Sequence, residues 1–394
     1  VALLSEARWT KVAPFNPLSS KQALAYLKLK GYKIPLERKS GKPTANEEAL
    51  ENILRYNKDP LLELMLDCRH LSKAVSYLQD TAIGRDGKFH PIYSFKPETG
   101  RLSSVRPNMQ NVPNGGVDAE LAKAVRSCIV PSQPGMVLLE CDWKACEAVL
   151  TGWFAGDDEY IAASQKDSHS WFGGYILREL GIIKDVPSPK SDGFMDFAHW
   201  LKKEHPKVRK EAKQVNLATG YGMQWKHLSE VLRCSAAQAK RYLAIKAAMA
   251  PKIEAWKNAT WLEAHRKGFL ETPFGYRSYF WNVLQPIKSK PGKFRPGKEA
   301  NEALAFRPQS TGAAMLREVM LEIELYNGIE SGGLFNMLVP IHDAILVECF
   351  EKDVQACMDV IVPSMARSWV ELGGLSIGAD CKSGPRWSEM EEED

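Results

Sequence analysis

Apolar residues follow two rhythms along this chain. In the first eighty residues and in the middle they recur at helical steps, whereas around 136–142 and 337–348 they run together as buried strands do. Ser19-Ser20 predicts the start of a helix through Leu29, with Gly31 ending it. Asn46 precedes a second helical pattern with Leu50, Ile53 and Leu54, and Asp59-Pro60 opens a third. That third run places Leu61, Leu64, Met65, Cys68, Leu71 and Val75 on one stripe. Residues 85–140 read as short strands and turns, and 150–285 as mostly helical. A helix is predicted from about Asn301 to Asn327. A hairpin then turns at Asp343, followed by a helix through Trp369, a terminal strand and a disordered acidic tail, Glu389–Asp394.

Composition narrows the class. The chain has 394 residues, 44% of them apolar, enough for two or three packed substructures. A net charge of +4 neither requires nor excludes a nucleic-acid partner, because positive charge can line one groove of a nearly neutral protein. No apolar run approaches a bilayer span and no signal-peptide pattern opens the chain. An intracellular protein of the cytoplasm or nucleoid, with no membrane partner, is expected. The eight cysteines include no C-x-x-C pair, so packed, reduced thiols are expected rather than zinc or disulfides.

Candidate chemistry sits where strands should surface. Asp142 ends the run from Met136, and Asp343 lies at the turn between the two later runs. Two carboxylates at strand tips are the minimum needed to hold a pair of divalent cations. A basic stretch carries Arg209, Lys213, Leu217 and Tyr221 at steps of four, which keeps them on one helical face. That face suits phosphate oxygens and a flat base; a surface helix with ordinary charge pairs is the alternative. The basic run Pro286–Lys298 reads as a solvated loop, with phosphate contact as the other possibility.

The segment Thr99-Gly100-Arg101-Leu102-Ser103-Ser104, continuing to Pro107-Asn108-Met109-Gln110-Asn111-Val112-Pro113, resembles a signature of family A DNA polymerases. Arg209, Lys213, Asn216 and Tyr221-Gly222 are similar to that family's nucleotide-binding helix. His342-Asp343, with Glu348 in the same hairpin, resembles its third motif, and Asp142 with Glu147 its first. Gln309-Ser310-Thr311-Gly312-Ala313 is similar to a run in phage members. The resemblance spans about Phe15 to Trp387, with the motifs in family order.

This resemblance implies an α+β, right-hand polymerase fold. The thumb would be residues 1–80, the palm 81–150 and 286–394 with an antiparallel sheet, and the fingers 151–285; a 3′–5′ exonuclease domain is not expected. It implies template-directed DNA synthesis, with deoxynucleotides joined to a primer 3′-hydroxyl and pyrophosphate released. Asp142, Asp343 and the backbone carbonyl of Trp143 would ligate two Mg²⁺, with Mn²⁺ as a substitute. Arg209, Lys213 and His169 would contact the incoming triphosphate, Lys213 also serving as proton donor. Glu147 would exclude a 2′-hydroxyl, and Leu217 and Tyr221 would lie beside the base. Arg101, Gln309, Asn108, Gln110, Asn111 and His342 would contact primer-template DNA. A monomer is expected, with deoxynucleoside triphosphates and primer-template DNA as partners.

The sequence also departs from the family's usual pattern. Ala344 stands where an acid usually follows Asp343, Lys144 lies within the first motif, and Leu217 replaces an aromatic. Ala305 and Asn301 occupy positions usually held by Asn and Arg. A single-subunit RNA polymerase, against which Glu147 argues, and a non-catalytic DNA-binding protein are the rival readings.

Overall fold

The computed structural model describes residues 14–37, 40–79, 81–112, 119–220, 222–287, 289–329 and 332–393, without the side chains of 74, 77 and 78. The chain divides into two compact units. One comprises the residues up to His90 together with Arg106–Cys128; the other comprises Pro91–Val105 and Ile129 onward.

The first unit is helical: α1 (Ser20–Leu29), α2 (Glu47–Leu54), α3 (Pro60–Gln79) and α4 (Ala119–Ser127). Ser19 and Asn46 cap α1 and α2 by accepting from Gln22 and Ala49 backbone N–H groups, as their residue types predict. Ala23, Leu27, Leu50, Ile53, Leu62 and Met65 form the core. Asp59 is buried yet satisfied, since the hydroxyls of Tyr26 and Tyr32 and the N–H of Leu61 all donate to it.

The second unit starts with the pair β1 (Ile92–Ser94) and β2 (Ser103–Val105) and then β3 (Met136–Trp143). Helices α5 (Cys146–Ala155), α6 (Asp158–Lys166), α7 (Ser168–Glu179), α8 (Phe194–Glu204) and α9 (Pro206–Ala218) follow. Next come α10 (Trp225–Val231), α11 (Ala236–Met249) and α12 (Pro251–Lys267). Two small hairpins, β4 (Phe269–Glu271) with β5 (Arg277–Tyr279) and β6 (Leu284–Pro286) with β7 (Phe294–Pro296), lead into α13 (Ala300–Ile329). The chain ends with β8 (Phe335–Ile341), β9 (Ala344–Phe350), α14 (Val354–Met365), β10 (Ala379–Gly384) and β11 (Glu391–Glu393).

Five strands form one antiparallel sheet in the order β11-β10-β3-β9-β8. Strand alternation decides what each face does. Leu139, Cys141 and Trp143 of β3, with Ile345, Val347 and Cys349 of β9, pack against Met315, Val319 and Ile323 of α13 and Ile361 and Met365 of α14. Glu140 and Asp142 therefore point to the opposite face. A separate core of Trp171, Phe172, Ala212, Val215, Leu228 and Ile245 joins α7, α9, α10 and α11.

Several expectations need correction. On α3 the core stripe is Leu62, Met65 and Leu66, while Leu64, Leu71 and Val75 stay exposed; the mixed apolar pattern fits more than one helical face. Residues 85–140 include a helix, α4, as well as strands. Helix α14 stops at Met365, and Trp369 instead pairs in a bridge with Leu375. The acidic tail is not disordered over Glu391–Glu393, which pairs with residues 381–383 as the edge strand of the sheet. Nor are all cysteines reduced: Cys141 and Cys381 face each other directly across β3 and β10 and form a disulfide, Cα–Cα 4.2 Å. They lie 240 residues apart, so no local spacing foretells the pair. Among the described residues, no helix is long and apolar enough to cross a membrane.

Candidate functional site

The two aspartates converge. Asp142 sits opposite Ala344 in the β3–β9 register, which places Asp343 at the neighbouring position of the hairpin turn. Asp142 keeps one edge in solvent, although protein surrounds much of it. Burial, reinforced by the charges of Asp343 and Glu140, pushes its carboxyl up to about 7. Asp343 is raised too, chiefly by burial, with the Arg101 guanidinium pulling the other way. Burial thus opposes the ionisation of both neighbouring groups.

The backbone around these carboxylates is strained. Ala145, two residues before Glu147, has φ 50°, and His342, beside Asp343, has φ 55°. Left-handed backbone at a residue with a Cβ costs about 1 kcal/mol or more, and such costs gather at functional sites. The first turn sends the chain from β3 directly into α5, so Glu147 appears one helical turn past the strand tip.

Arg101 donates to Glu147 in a partly buried ion pair. The Arg101 segment is fixed from behind, because Arg317 of α13 donates to the carbonyl of Gly100 at 2.6 Å. Gln309 lies on the same helix. One turn further, Gly312 lets α13 approach α5: a Cβ there would stand 3.4 Å from the Cys146 sulfur. Gln309 and Gly312 share a helical face, so Gln309 is carried beside the helix that bears Glu147. Arg101, Asp142, Glu147, Gln309, His342 and Asp343 thus belong to one corner of the second unit.

The cationic residues form a second group on α9, which continues from that corner through the packed helices α5, α6 and α7. Arg209, Lys213 and Leu217 lie on its outer side, while Ala212, Val215 and Thr219 are buried. Leu217 is 71% exposed, so it is not one of the helix's core residues. Arg209 is already engaged: it donates to Asp167 at 2.9 Å and to the Ser170 hydroxyl at 3.1 Å. Asp167 also caps α7; burial opposes its charge, but the Ser170 N–H and the Arg209 guanidinium outweigh that and hold it below the usual range. His169 reaches the same place, its Nδ1 lying 3.3 Å from the Asn216 amide nitrogen. Burial, with Arg209 and Lys213 nearby, lowers its proton affinity despite Asp167. The segment Pro187–Gly193 and α8 separate His169 from Arg209 in sequence, yet α7 and α9 pack directly together.

Asn108, Gln110 and Asn111 belong to the first unit, where Met109–Asn111 forms a single 3-10 turn. Tyr221 falls outside the described residues. The Trp143 side chain is buried and donates to the Met365 carbonyl. Glu348 is buried away from the aspartates, accepting from Ser132 N–H and hydroxyl at 2.7 Å each. Lys144 ion-pairs with Asp380 on β10 at 2.5 Å, so its charge is locally answered. Sequence reading missed Asp167 as the partner of Arg209 and Asp380 as that of Lys144.

Comparison with known proteins gives a consistent answer. The family model for DNA polymerase family A matches residues 3–389. The chain is 28% identical over 358 residues to the thermostable DNA polymerase I of Thermus aquaticus, covering 87% of this chain and 38% of that protein. It is 28% identical over 384 residues to DNA polymerase I of Streptococcus pneumoniae, covering 95% and 40%. The chain thus spans about two-fifths of the length of these relatives. The solved polymerase domain of Pol1 from M. smegmatis, in complex with DNA primer-template and dNTP, superposes with a TM-score of 0.74 at 21% identity. That match covers 95% of this chain and 61% of the other.

Proposed function

We infer, because this chain belongs to DNA polymerase family A, that it adds deoxynucleotides to a primer 3′-hydroxyl under the direction of a template strand. The observation that carries this reading is the meeting of Asp142 and Asp343 at one end of the sheet, beside the Arg101–Glu147 pair. The second unit would supply palm and fingers, with residues 1–80 as the thumb.

The donor set fits divalent magnesium. Hard carboxylate oxygens are what Mg²⁺ prefers, and a divalent cation would favour the charged form of both aspartates, which burial opposes. Asp142, Asp343 and the Trp143 carbonyl would hold the ions. When bound, two such ions supply acidification of the primer hydroxyl and neutralisation of charge on the leaving pyrophosphate.

The protein's own residues do the rest. Arg209 and Lys213 grip the triphosphate from α9, and His169 supports them from α7. Phosphate oxygens replace Asp167 as the acceptor for Arg209, exchanging one charge-assisted hydrogen bond for others. Lys213 delivers a proton to the departing pyrophosphate. Glu147, steered by Arg101, occupies the space a 2′-hydroxyl would need. Leu217 offers an apolar surface to the base, and Arg101 and Gln309 meet the minor-groove edge of the new pair.

Primer extension tests this directly. With Mg²⁺ and a DNA primer-template, extension with deoxynucleotides is expected and extension with ribonucleotides is not. Glu147→Ala should raise ribonucleotide use. Efficient extension with ribonucleotides alone would favour an RNA polymerase, and binding with no incorporation in either metal would favour a non-catalytic role.

A further inference from the structure

The aromatic face of the β4–β5 hairpin lies outside the residues discussed above. Its register pairs Phe269 with Tyr279 and Glu271 with Arg277. Alternation buries Leu270, Ser278 and Phe280 and leaves Arg277, Tyr279 and Trp281 in one outward row. Trp281 is 80% exposed and Tyr279 59%, their rings nearly parallel at 13° with centroids 6.3 Å apart. The Arg277 guanidinium lies 4.9 Å from the Phe269 ring centre. Singly exposed aromatics are ordinary, but a stacked pair continued by an arginine over a third ring is not.

Charge identifies what such a row would take. The hairpin β6–β7 is mounted on the same small core as β4–β5, through Leu270, Phe280, Val283 and Phe306. It presents Lys290, Lys293 and Arg295, all exposed and without an ion-pair partner among the described residues. Phe294 is half exposed and contacts the His265 ring at the end of α12. The segment's acidic residues are occupied, Glu271 by Arg277 and Glu299 by the N–H groups of Trp281 and Asn282. Phe269 and Arg277 border a recess of about 670 Å³ whose carboxylates, Glu263 and Glu271, are both ion-paired and whose other walls include Trp153, Phe154 and Arg307. The last three lie on α5 and α13, the helices carrying Glu147 and Gln309.

We propose that this row and the adjacent basic hairpin bind single-stranded DNA, namely the unpaired template ahead of the primer end. Aromatic rings with interleaved cations are what a strand of bases and phosphates requires, and they accept any base because every base has a flat face. A docking protein would not need the surplus of unpaired positive charge. The proposal rests on the polymerase reading above, but its test does not.

Binding of a fluorescent 12-nucleotide oligo-dT, and of primer-templates with blunt ends or 10-nucleotide 5′ template overhangs, would be measured by anisotropy. The overhang should tighten binding in the wild type. In Tyr279→Ala/Trp281→Ala that gain should fall about tenfold, while blunt-duplex affinity and incorporation on a one-nucleotide overhang stay unchanged. Trp281→Phe should retain most of the gain. Lys290→Glu/Lys293→Glu should weaken overhang and oligo-dT binding and flatten their salt dependence. An unchanged overhang gain in the double alanine variant would overturn the proposal, as would equal loss on blunt duplex or no oligo-dT binding by the wild type. Trp281-dependent oligo-dT binding in a chain that incorporates nothing would instead uphold the strip and remove the polymerase reading.

Discussion

At the end of the sheet, like charges face each other; on α9, opposite charges do. Asp142 and Asp343 lie together, and Lys382 and the Arg101 guanidinium do not offset the burial that raises both carboxyls. Arg209, by contrast, already holds Asp167 and Ser170. Under the proposed function the first region would take a cation from outside, whereas the second would keep its cation ordered until phosphate oxygens replace Asp167. The difference follows from burial: carboxylates at a strand tip cannot turn away from each other, while a long arginine on a helix can find a neighbour.

The strongest way to break this contrast is to remove a carboxylate. Asp142→Asn should lower single-turnover incorporation by at least about 10³-fold, with primer-template affinity changed only a few-fold. Near-normal turnover in that variant would take Asp142 out of the chemistry. On the cationic side, Lys213→Ala should cost about 10²-fold in the same assay and flatten the basic limb of its pH profile, if the ammonium gives up a proton.

Lys246 sharpens the comparison, because among the described residues its amine has no direct carboxylate partner. It is buried beneath α9, where its ammonium donates to Thr219 at 2.6 Å. Burial, then the Lys257 charge, lowers it to about 7, with Glu254 opposing. Between about pH 7 and its ordinary value of 10.5, the unfolded chain therefore binds a proton that the folded chain does not, and stability should climb with pH. Lys246→Met should abolish that climb and stabilise the protein at neutral pH by on the order of 1–3 kcal/mol, read by urea denaturation.

The smallest effect is expected at Asp167→Asn. Asparagine can still cap α7 through its Oδ1, but its amide nitrogen cannot accept from Arg209 as Asp167 Oδ2 does, a loss worth about 1–2 kcal/mol at neutral pH. Because the folded value is depressed, this stabilisation is present above the ordinary carboxylate value of 3.8 and disappears as pH falls through the depressed one. Denaturation curves of wild type and variant should therefore converge in acid; a gap that persists there would mean the pair is not the cause.

Local chemistry made much of this molecule legible. Ser19 and Asn46 announced their helices, and the apolar runs at 136–142 and 337–348 announced the central strands with Asp142 and Asp343 at their tips. Each of those signals is carried by residues close in sequence, where helix caps and strand alternation act. What the sequence could not reveal lies in pairings across long separations. The Cys141–Cys381 disulfide, the Asp167 carboxylate on Arg209, the Asp380 carboxylate on Lys144 and the edge strand made from an acidic tail all depend on which surfaces the packed cores bring together. Sequence determined which groups the protein owns and on which face each stands; only tertiary packing decided which charges were answered, since Coulomb and hydrogen-bond energies depend on distances in space rather than positions along the chain.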